Sequence, residues 1–451
     1  MTMLQSLRRC FEGVVPAVIA TCAPDGTPNV ALLSQVHYVD PAHVALSYQF
    51  FNKTRENILA NPRATVQVVD PVSAAHYRLH LEYQRTETEG PLFENMKAKL
   101  AGIASHTGMS RVFRLLGSDV YRVLRIETVP GGLAAEPMPR PDLLQALRAC
   151  ITEVGACPDL GQLLEHTLSG LERHFAIRHA MLLMFDPPRN LLYTVASHGY
   201  AESGVGSEIH MGEGIIGVAA QQRTPIRIGY AAQEYLYSRM TRMEFAGNEP
   251  TLALETEIPF PGLADSRSQL AVPVVFRQRL LGVLYVESPE ELRFAYEDED
   301  ALALLAIHLA VAIELLSAAG DHHEDAAVAA APPGVAEGEA ALIRHFPADQ
   351  SVFVDNEYLI KGVAGAIIWR LLSEYVQHGR TQFTNRELRH DRSLRLPDVT
   401  DNLEARLLLL QRRLTERCAF LAIEKSGRGR FCLKVSRPVR LIESTHAAGN
   451  R

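Results

Sequence analysis

No Cys-x-x-Cys pair occurs in the chain. Its six cysteines, Cys10, Cys22, Cys150, Cys157, Cys418 and Cys432, are scattered over 451 residues, which disfavours a disulfide framework and a thiolate zinc site alike. Reduced cysteines that pack as small apolar groups are expected. Cys150 and Cys157 are seven apart, but Gly155 and Pro158 interrupt the helix that would bring them to one face. Long apolar runs are also missing: none reaches the roughly 18 residues a bilayer span requires. The start, MTMLQSLRRCFEGVV, lacks a signal peptide's sustained apolar region and small-residue cleavage site. A cytoplasmic protein without a membrane partner is therefore expected. Metal-ligand residue types gather only at His322-His323-Glu324-Asp325, inside an Ala-rich polar stretch that reads as a solvated run, so no metal site is assigned.

What is present is length: 451 residues exceed what one hydrophobic core organises, and about three domains follow. Residues 131–141, within VPGGLAAEPMPRP, carry Pro and Gly without periodicity, and residues 318–340 are Ala-rich and poor in large apolar side chains. These linkers leave three segments, 1–130, 142–317 and 341–451. The predicted class is multidomain α+β.

The first segment contains LSYQFFNKTRENILANPRATVQVVD, residues 46–70, which lays a strand, a polar turn and a short helix before another strand. Asn52, Lys53 and Thr54 stand where unsatisfied backbone N–H groups open that helix, so a phosphate there gains the helix dipole, a lysine charge and a hydroxyl. Arg55 and Asn57 could add donors. Asn61-Pro62 ends the helix. Upstream, residues 17–21 and 29–36 flank the turn Pro24-Asp25-Gly26-Thr27-Pro28 as a hairpin, and residues 44–47 continue the meander. Residues 91–116 read as helical and 119–126 alternate as a closing strand. Over residues 10–130 this pattern resembles the FMN-binding split barrel of the pyridoxamine-5′-phosphate-oxidase-like superfamily. The resemblance implies that Lys53 and Thr54 hold the cofactor phosphate and that the backbone around Leu33, Ser34 and Gln35 lies against the flavin ring. The arginine and histidine run with which the true oxidases bind substrate is not recognisable, which argues against pyridoxal-phosphate synthesis. A barrel kept as a dimerisation scaffold without flavin is the alternative.

The middle segment reads helix, strands, a polar excursion, strands, helix. Leu143, Leu147, Ile151 and Val154 form one apolar stripe, and Leu160, Leu163, Leu164, Leu168 and Leu171 another. The runs GEGIIGVAAQQRTPIRI and LAVPVVFRQRLLGVLYVES then make it resemble a GAF domain, a small-molecule sensor fold. That resemblance implies a ligand between the sheet and a helical flap over residues 229–252, contacted by Tyr230, Tyr235, Tyr237, Met240 and Met243, side chains suited to an apolar or planar molecule. No cysteine lies between Cys157 and Cys418, which excludes a thioether-linked bilin, and the Asn-Lys-x-x-x-Phe-x-x-x-Asp-Glu run of cyclic-GMP binders is missing. His198 and His210 flank a glycine-containing loop, which keeps haem iron open as an alternative cofactor.

From residue 381 to 440 fourteen basic residues face seven acidic ones, a net +7 in a chain of −7, which leaves −14 elsewhere and favours a polyanion partner. Residues 364–375, 385–389 and 398–418 read as three helices, with Thr384 capping the second and Asp401 leading into the third. Residues 419–425 and 430–435 flank Ser426-Gly427-Arg428-Gly429 as a hairpin tip. The pattern fits a winged helix. Its third helix would offer Arg406, Arg412 and Arg413 to a major groove, and the wing Arg428 and Arg430 to phosphates; a protein-contact winged helix is the alternative. Together the segments resemble a one-component, homodimeric regulator that couples flavin or small-molecule binding to DNA binding. A flavin-dependent oxidoreductase with a regulatory GAF domain, or an interaction scaffold, are the rival readings.

Overall fold

A computed structural model describes residues 3–11, 15–33, 35–49, 53–90, 92–97, 100, 115–130, 142–229, 258–320, 339–391, 394, 403–427 and 429–444. The N-terminal unit opens with a 3-10 turn, Leu4–Phe11, whose Leu4, Leu7, Cys10 and Phe11 join the barrel core. Seven antiparallel strands follow: β1 (Ala17–Cys22), β2 (Pro28–Leu33), β3 (Val36–Asp40), β4 (His43–Tyr48), β5 (Arg63–Val69), β6 (His76–Glu87) and β7 (Gly117–Val129), in the order β2-β1-β5-β6-β7-β4-β3. Helix α1 (Lys53–Ala60) joins β4 to β5. Alternation drives the strands: Ala64, Val66 and Val68 of β5 point inward while their neighbours are partly wet. The single returning strand expected over residues 29–36 is instead two. It breaks where Gln35 leaves the ladder to exchange hydrogen bonds with Ser47, its N–H donating to Ser47 Oγ at 3.2 Å and its carbonyl accepting from Ser47 N at 3.1 Å. Of the helix expected over residues 91–116, residues 92–97 and 100 are helical, 115–116 are not, and 91, 98–99 and 101–114 lie outside the described residues.

Helix α2 (Leu143–Gly155) starts at Asp142 and α3 (Leu160–Phe175) at Asp159, each aspartate accepting backbone N–H groups of its first turn. A six-stranded sheet follows, built from β8 (His179–Asp186), β9 (Leu191–His198), β10 (Glu208–His210), β11 (Ile226–Ile228), β12 (Ser268–Phe276) and β13 (Arg279–Ser288), in the order β10-β9-β8-β13-β12-β11. Helices α2, α3 and α5 (Tyr296–Gly320) share one core with Leu182 and Leu284 of the sheet. Helix α4 (Gly214–Gln222) shares another with Met181, Leu183 and Val283, on the opposite face. At Gly282 a Cβ would stand 2.0 Å from the Leu183 carbonyl oxygen, so glycine alone admits the close approach of β13 to β8. Residues Tyr296–Ser317 of α5 pass the length and composition test for a bilayer span, with mean hydropathy 1.9, which corrects the expectation that no segment would. Glu314 and His308 interrupt the apolar run, and Leu302, Leu305, Leu309 and Ile313 bury one face of α5 in the domain core.

The C-terminal unit adds β14 (Ala341–Phe346), β15 (Ser351–Val354) and β16 (Glu357–Ile360), then α6 (Gly362–His378), β17 (Gln382–Thr384), α7 (Asn385–His390), α8 (Leu403–Arg417), β18 (Leu421–Gly427), β19 (Arg430–Val435) and β20 (Val439–Glu443). The sequence reading did not anticipate the first sheet, β16-β15-β14-β20, in which β14 and β20 run parallel. Asp355 and Asn356 both take positive φ, 48° and 77°, the two-residue turn that a tight hairpin demands. Thr384 caps α7 as expected, in a reciprocal box with Glu387. One continuous hydrophobic cluster joins this unit to the helical face of the middle domain.

His345 is 3% exposed, stacks on Trp369 at 4.6 Å and meets Gln350 Oε1 at 3.0 Å. Burial lowers its pKa against the opposing pull of Gln350, Glu443 and Asp349. The unfolded chain then takes up this proton first, so the contribution is intact above about pH 6.5 and lost as pH falls below it. The urea midpoint should drop between pH 7.5 and 5.5, and His345→Phe should show a smaller drop.

Candidate functional site

Beside the N-terminus of α1 lies a cleft of about 110 Å³ whose walls include Leu32, Leu33, Tyr48, Gln49, Thr54 and Arg55. Lys53 is half exposed and only loosely paired, 3.7 Å from Glu56. Thr54 is buried, and its Oγ1 accepts from Asn29 Nδ2 at 2.8 Å, which leaves its own proton to donate. Two expectations need correction. Asn57 is 1% exposed and donates to Thr21 Oγ1 at 3.2 Å, so its side chain supports the turn from beneath instead of reaching an anion. The Gln35 side chain is buried and does not line the cleft, although Leu33 and Ser47, to which the Gln35 backbone is tied, do. Asn52 and Ser34 lie outside the described residues.

Arg55 turns inward. It donates to Asp119, and to Thr86 Oγ1 at 2.9 Å, with its guanidinium 4.4 Å above the Tyr48 ring. Burial works against its charge, but the Asp119 partnership outweighs that and holds its pKa above the usual arginine value. The wall of the cleft therefore contains a fixed, neutralised ion pair. Gln49, which sequence reading passed over, is 8% exposed, lines the cleft and carries an Oε1 with no hydrogen-bond partner among the described residues. A buried acceptor left so is costly unless a bound group donates to it. A polar side chain just past the strand that carries the apolar run Val44-Ala45-Leu46 was the available signal. The cleft is too small to enclose a flavin. It can hold one end, while the rest would lie toward β2, whose Val30 and Leu32 are 66% and 75% exposed.

On the α4 face of the middle sheet one polar row crosses apolar ground. Glu287 is 1% exposed, accepts from Leu263 N at 2.9 Å and from the Tyr285 hydroxyl at 3.1 Å, and stands in register between Gln269 and His179. The His179 ring meets Tyr200 at 5.5 Å. Tyr230, Tyr235, Tyr237, Met240 and Met243 lie outside the described residues. His198 is paired with Glu172 at 2.6 Å at one end of β9, whereas His210 pairs in register with Leu191 at the other. Seven residues at about 3.3 Å each separate them by roughly 23 Å, so the two cannot share one iron.

The arginines of α8 are also placed differently from expectation. Arg406 is buried against the middle domain, with two N···O approaches of 3.0 Å to Asp186, which is fully buried, and its guanidinium 4.5 Å above Tyr193. One approach is an aligned hydrogen bond; the other is an ion-pair contact. Arg412 donates to the Val195 carbonyl at 2.7 Å, and Arg413 to the Leu359 carbonyl at 3.1 Å and Glu416 at 3.2 Å. Desolvation lowers the pKa of both. The expectation that α8 presents Arg406, Arg412 and Arg413 to a duplex is therefore corrected: these charges dock α8 on β8 and β9 and close β16. Arg430 lines a cavity between the domains, and Arg428 lies outside the described residues. All six cysteines are free, and burial pushes Cys10 and Cys418 up to about 12 and Cys150 up to about 11, thiols suited to packing and not to attack.

The family model described as pyridoxamine 5′-phosphate oxidase matches residues 3–123, and that of the GAF domain matches residues 159–313. The chain thus carries a pyridoxamine-phosphate-oxidase-like barrel followed by a GAF domain. Among solved structures, the GAF domain of a phosphoenolpyruvate-protein phosphotransferase from Coxiella burnetii is 24% identical, over 40% of this chain and 96% of that one, with TM-score 0.31. An FMN-binding protein from Syntrophomonas wolfei is 17% identical over 28% and 86%, with TM-score 0.25. The free methionine-R-sulfoxide reductase of Neisseria meningitidis, in complex with its substrate, is 19% identical over 41% and 98%, with TM-score 0.31. No curated protein matches the chain.

Proposed function

We propose that the chain is a flavin- and small-molecule-sensing protein: its barrel holds FMN at the cleft beside α1, its GAF domain takes a second ligand, and its C-terminal domain is a winged-helix output. The observation that carries the flavin reading is the unpartnered Gln49 acceptor in the same cleft as Thr54, at the opening of a helix that also carries Lys53. In this reading Lys53, Thr54 and the first N–H groups of α1 hold the phosphate, and Gln49 accepts a hydrogen bond from the bound group. FMN would supply a redox-active ring. The one carboxylate lining the cleft among the described residues, Asp119, is committed to Arg55 and Thr86, which favours binding over proton transfer. Lys53→Ala should weaken FMN by about 1.5–3 kcal/mol while leaving riboflavin, which lacks the phosphate, nearly unchanged. Equal losses for the two flavins in a fluorescence titration would remove Lys53 from the phosphate site.

The edge strand β2 supports a symmetric dimer, because Val30 and Leu32 are exposed next to the cleft and a second copy would cover them. Leu32→Asp should shift the sedimentation coefficient to that of a monomer.

A DNA-binding output is the second reading, favoured by the net +7 of residues 381–440 and by the order helix, strand, helix, helix, hairpin from α6 to β19. It requires α8 to leave the GAF domain, because Arg406 and Arg412 are engaged there. Full-length Asp186→Ala should then bind random duplex DNA more tightly than the parent at low salt. Each arginine released to a phosphate would steepen the log–log salt slope by about 0.9. Unchanged binding with α8 undocked favours a protein-contact output.

A further inference from the structure

A cavity of about 300 Å³ lies where α3 and α5 of the GAF domain meet α8 and the β18–β19 hairpin. It is on the helical side of the sheet, away from the polar row beneath α4, and neither ligand site above uses it. It opens to solvent on one side, where Lys425 is largely exposed, and 300 Å³ is the size at which ligand pockets begin.

Its lining defines the ligand. Leu160, Leu407, Leu408, Ile423 and Phe431 make most of the wall apolar. The charged groups balance, Asp159 and Glu404 against Lys425 and Arg430. Asp159 is moreover committed, accepting from Gln162 N at 3.0 Å as the cap of α3 and meeting Lys425 at 3.2 Å across the domain boundary. No net charge remains to draw in an ion. The carboxamides of Asn385 and Gln411 supply a donor and an acceptor each. Gly161 keeps one wall thin: a Cβ there would stand 3.5 Å from Leu408 Cδ1 and 3.2 Å from Asp159 Oδ1.

We propose that this cavity is a further ligand site, for an uncharged, mainly apolar ring compound with a hydrogen-bonding group, and that its occupancy holds the C-terminal domain on the GAF domain. Both domains build the walls, so a ligand binds only the docked arrangement and stabilises it by mass action. The proposal does not rest on the flavin reading, and its test uses intact protein free of added FMN. Titration with N-phenyl-1-naphthylamine, an uncharged ring compound that brightens in apolar surroundings, should give a saturable rise in fluorescence. Gly161→Leu and Leu408→Trp each enlarge a side chain that lines the cavity, one from the GAF domain and one from α8, and each should weaken this binding at least tenfold. Gln411→Leu should weaken it several-fold. Hydrogen exchange in α8 and β18–β19 should slow when the probe is added. If Leu408→Trp fails to fold, Gly161→Leu carries the test from the GAF side. Undiminished binding in a folded cavity-filling variant overturns the site, as does an absence of saturable binding to the parent. Unchanged exchange in α8 with the probe bound overturns the coupling.

Discussion

Asp186→Ala is expected to cost about 3–5 kcal/mol, because it strands the Arg406 guanidinium in an interface where both side chains are nearly inaccessible to water. The pair spans 220 residues and joins β8 to α8, so the loss should appear as undocking of the C-terminal domain before either unit unfolds. Amide exchange across α8 should accelerate strongly, while the interior of β8 stays protected. The double replacement Asp186→Leu with Arg406→Leu removes both charges and should recover most of the loss, since an apolar pair of similar volume carries no desolvation penalty. A single-variant cost below about 1 kcal/mol would mean that this interface is wetter than the burial of these side chains implies.

Arg55→Ala should destabilise the barrel by a similar amount, about 3–5 kcal/mol, for a parallel reason. Asp119 is 5% exposed and would keep Thr86 but lose its cation. The Tyr48 ring would also lose the guanidinium stacked at 4.4 Å. FMN affinity should fall with it, because Tyr48, Gln49, Thr54 and Asp119 line one cleft. Asp119→Asn is the milder partner: it retains hydrogen bonding to Arg55 and Thr86 and should lose less than half as much. Chemical denaturation of the two variants side by side checks the ordering.

Which parts of this were legible in the sequence follows from the range of the interactions involved. The strands and helix around Lys53 were readable because every determinant lies within residues 46–70, the helix opening and the Asn61-Pro62 stop among them. The Thr384 capping box was equally local. Strand β6 was missed although Tyr77, Leu79, Leu81 and Tyr83 alternate along it, because charged and histidine residues dilute the apolar signal between them. Strand β20 could not be found locally, since its pairing with β14 closes a sheet across almost the whole C-terminal unit. The arginines of α8 mark the sharpest limit. Their spacing on a basic helix suggested a groove-reading face, whereas Asp186 and the Val195 carbonyl, more than 200 residues away, turn them inward. Charge counted along a sequence does not reveal whether a partner already lies within the same chain. In the cleft, the placement of Lys53 and Thr54 at the opening of α1 was legible, but the burial of Asn57 and the unpartnered acceptor of Gln49 depend on the packed barrel.

The central claim is that this barrel binds flavin through its phosphate-type turn. Purified full-length protein titrated into FMN should quench flavin fluorescence saturably, with one FMN per chain at the endpoint, and the bound flavin should remain through gel filtration. Fluorescence that stays at the free-FMN level through an excess of protein would contradict it.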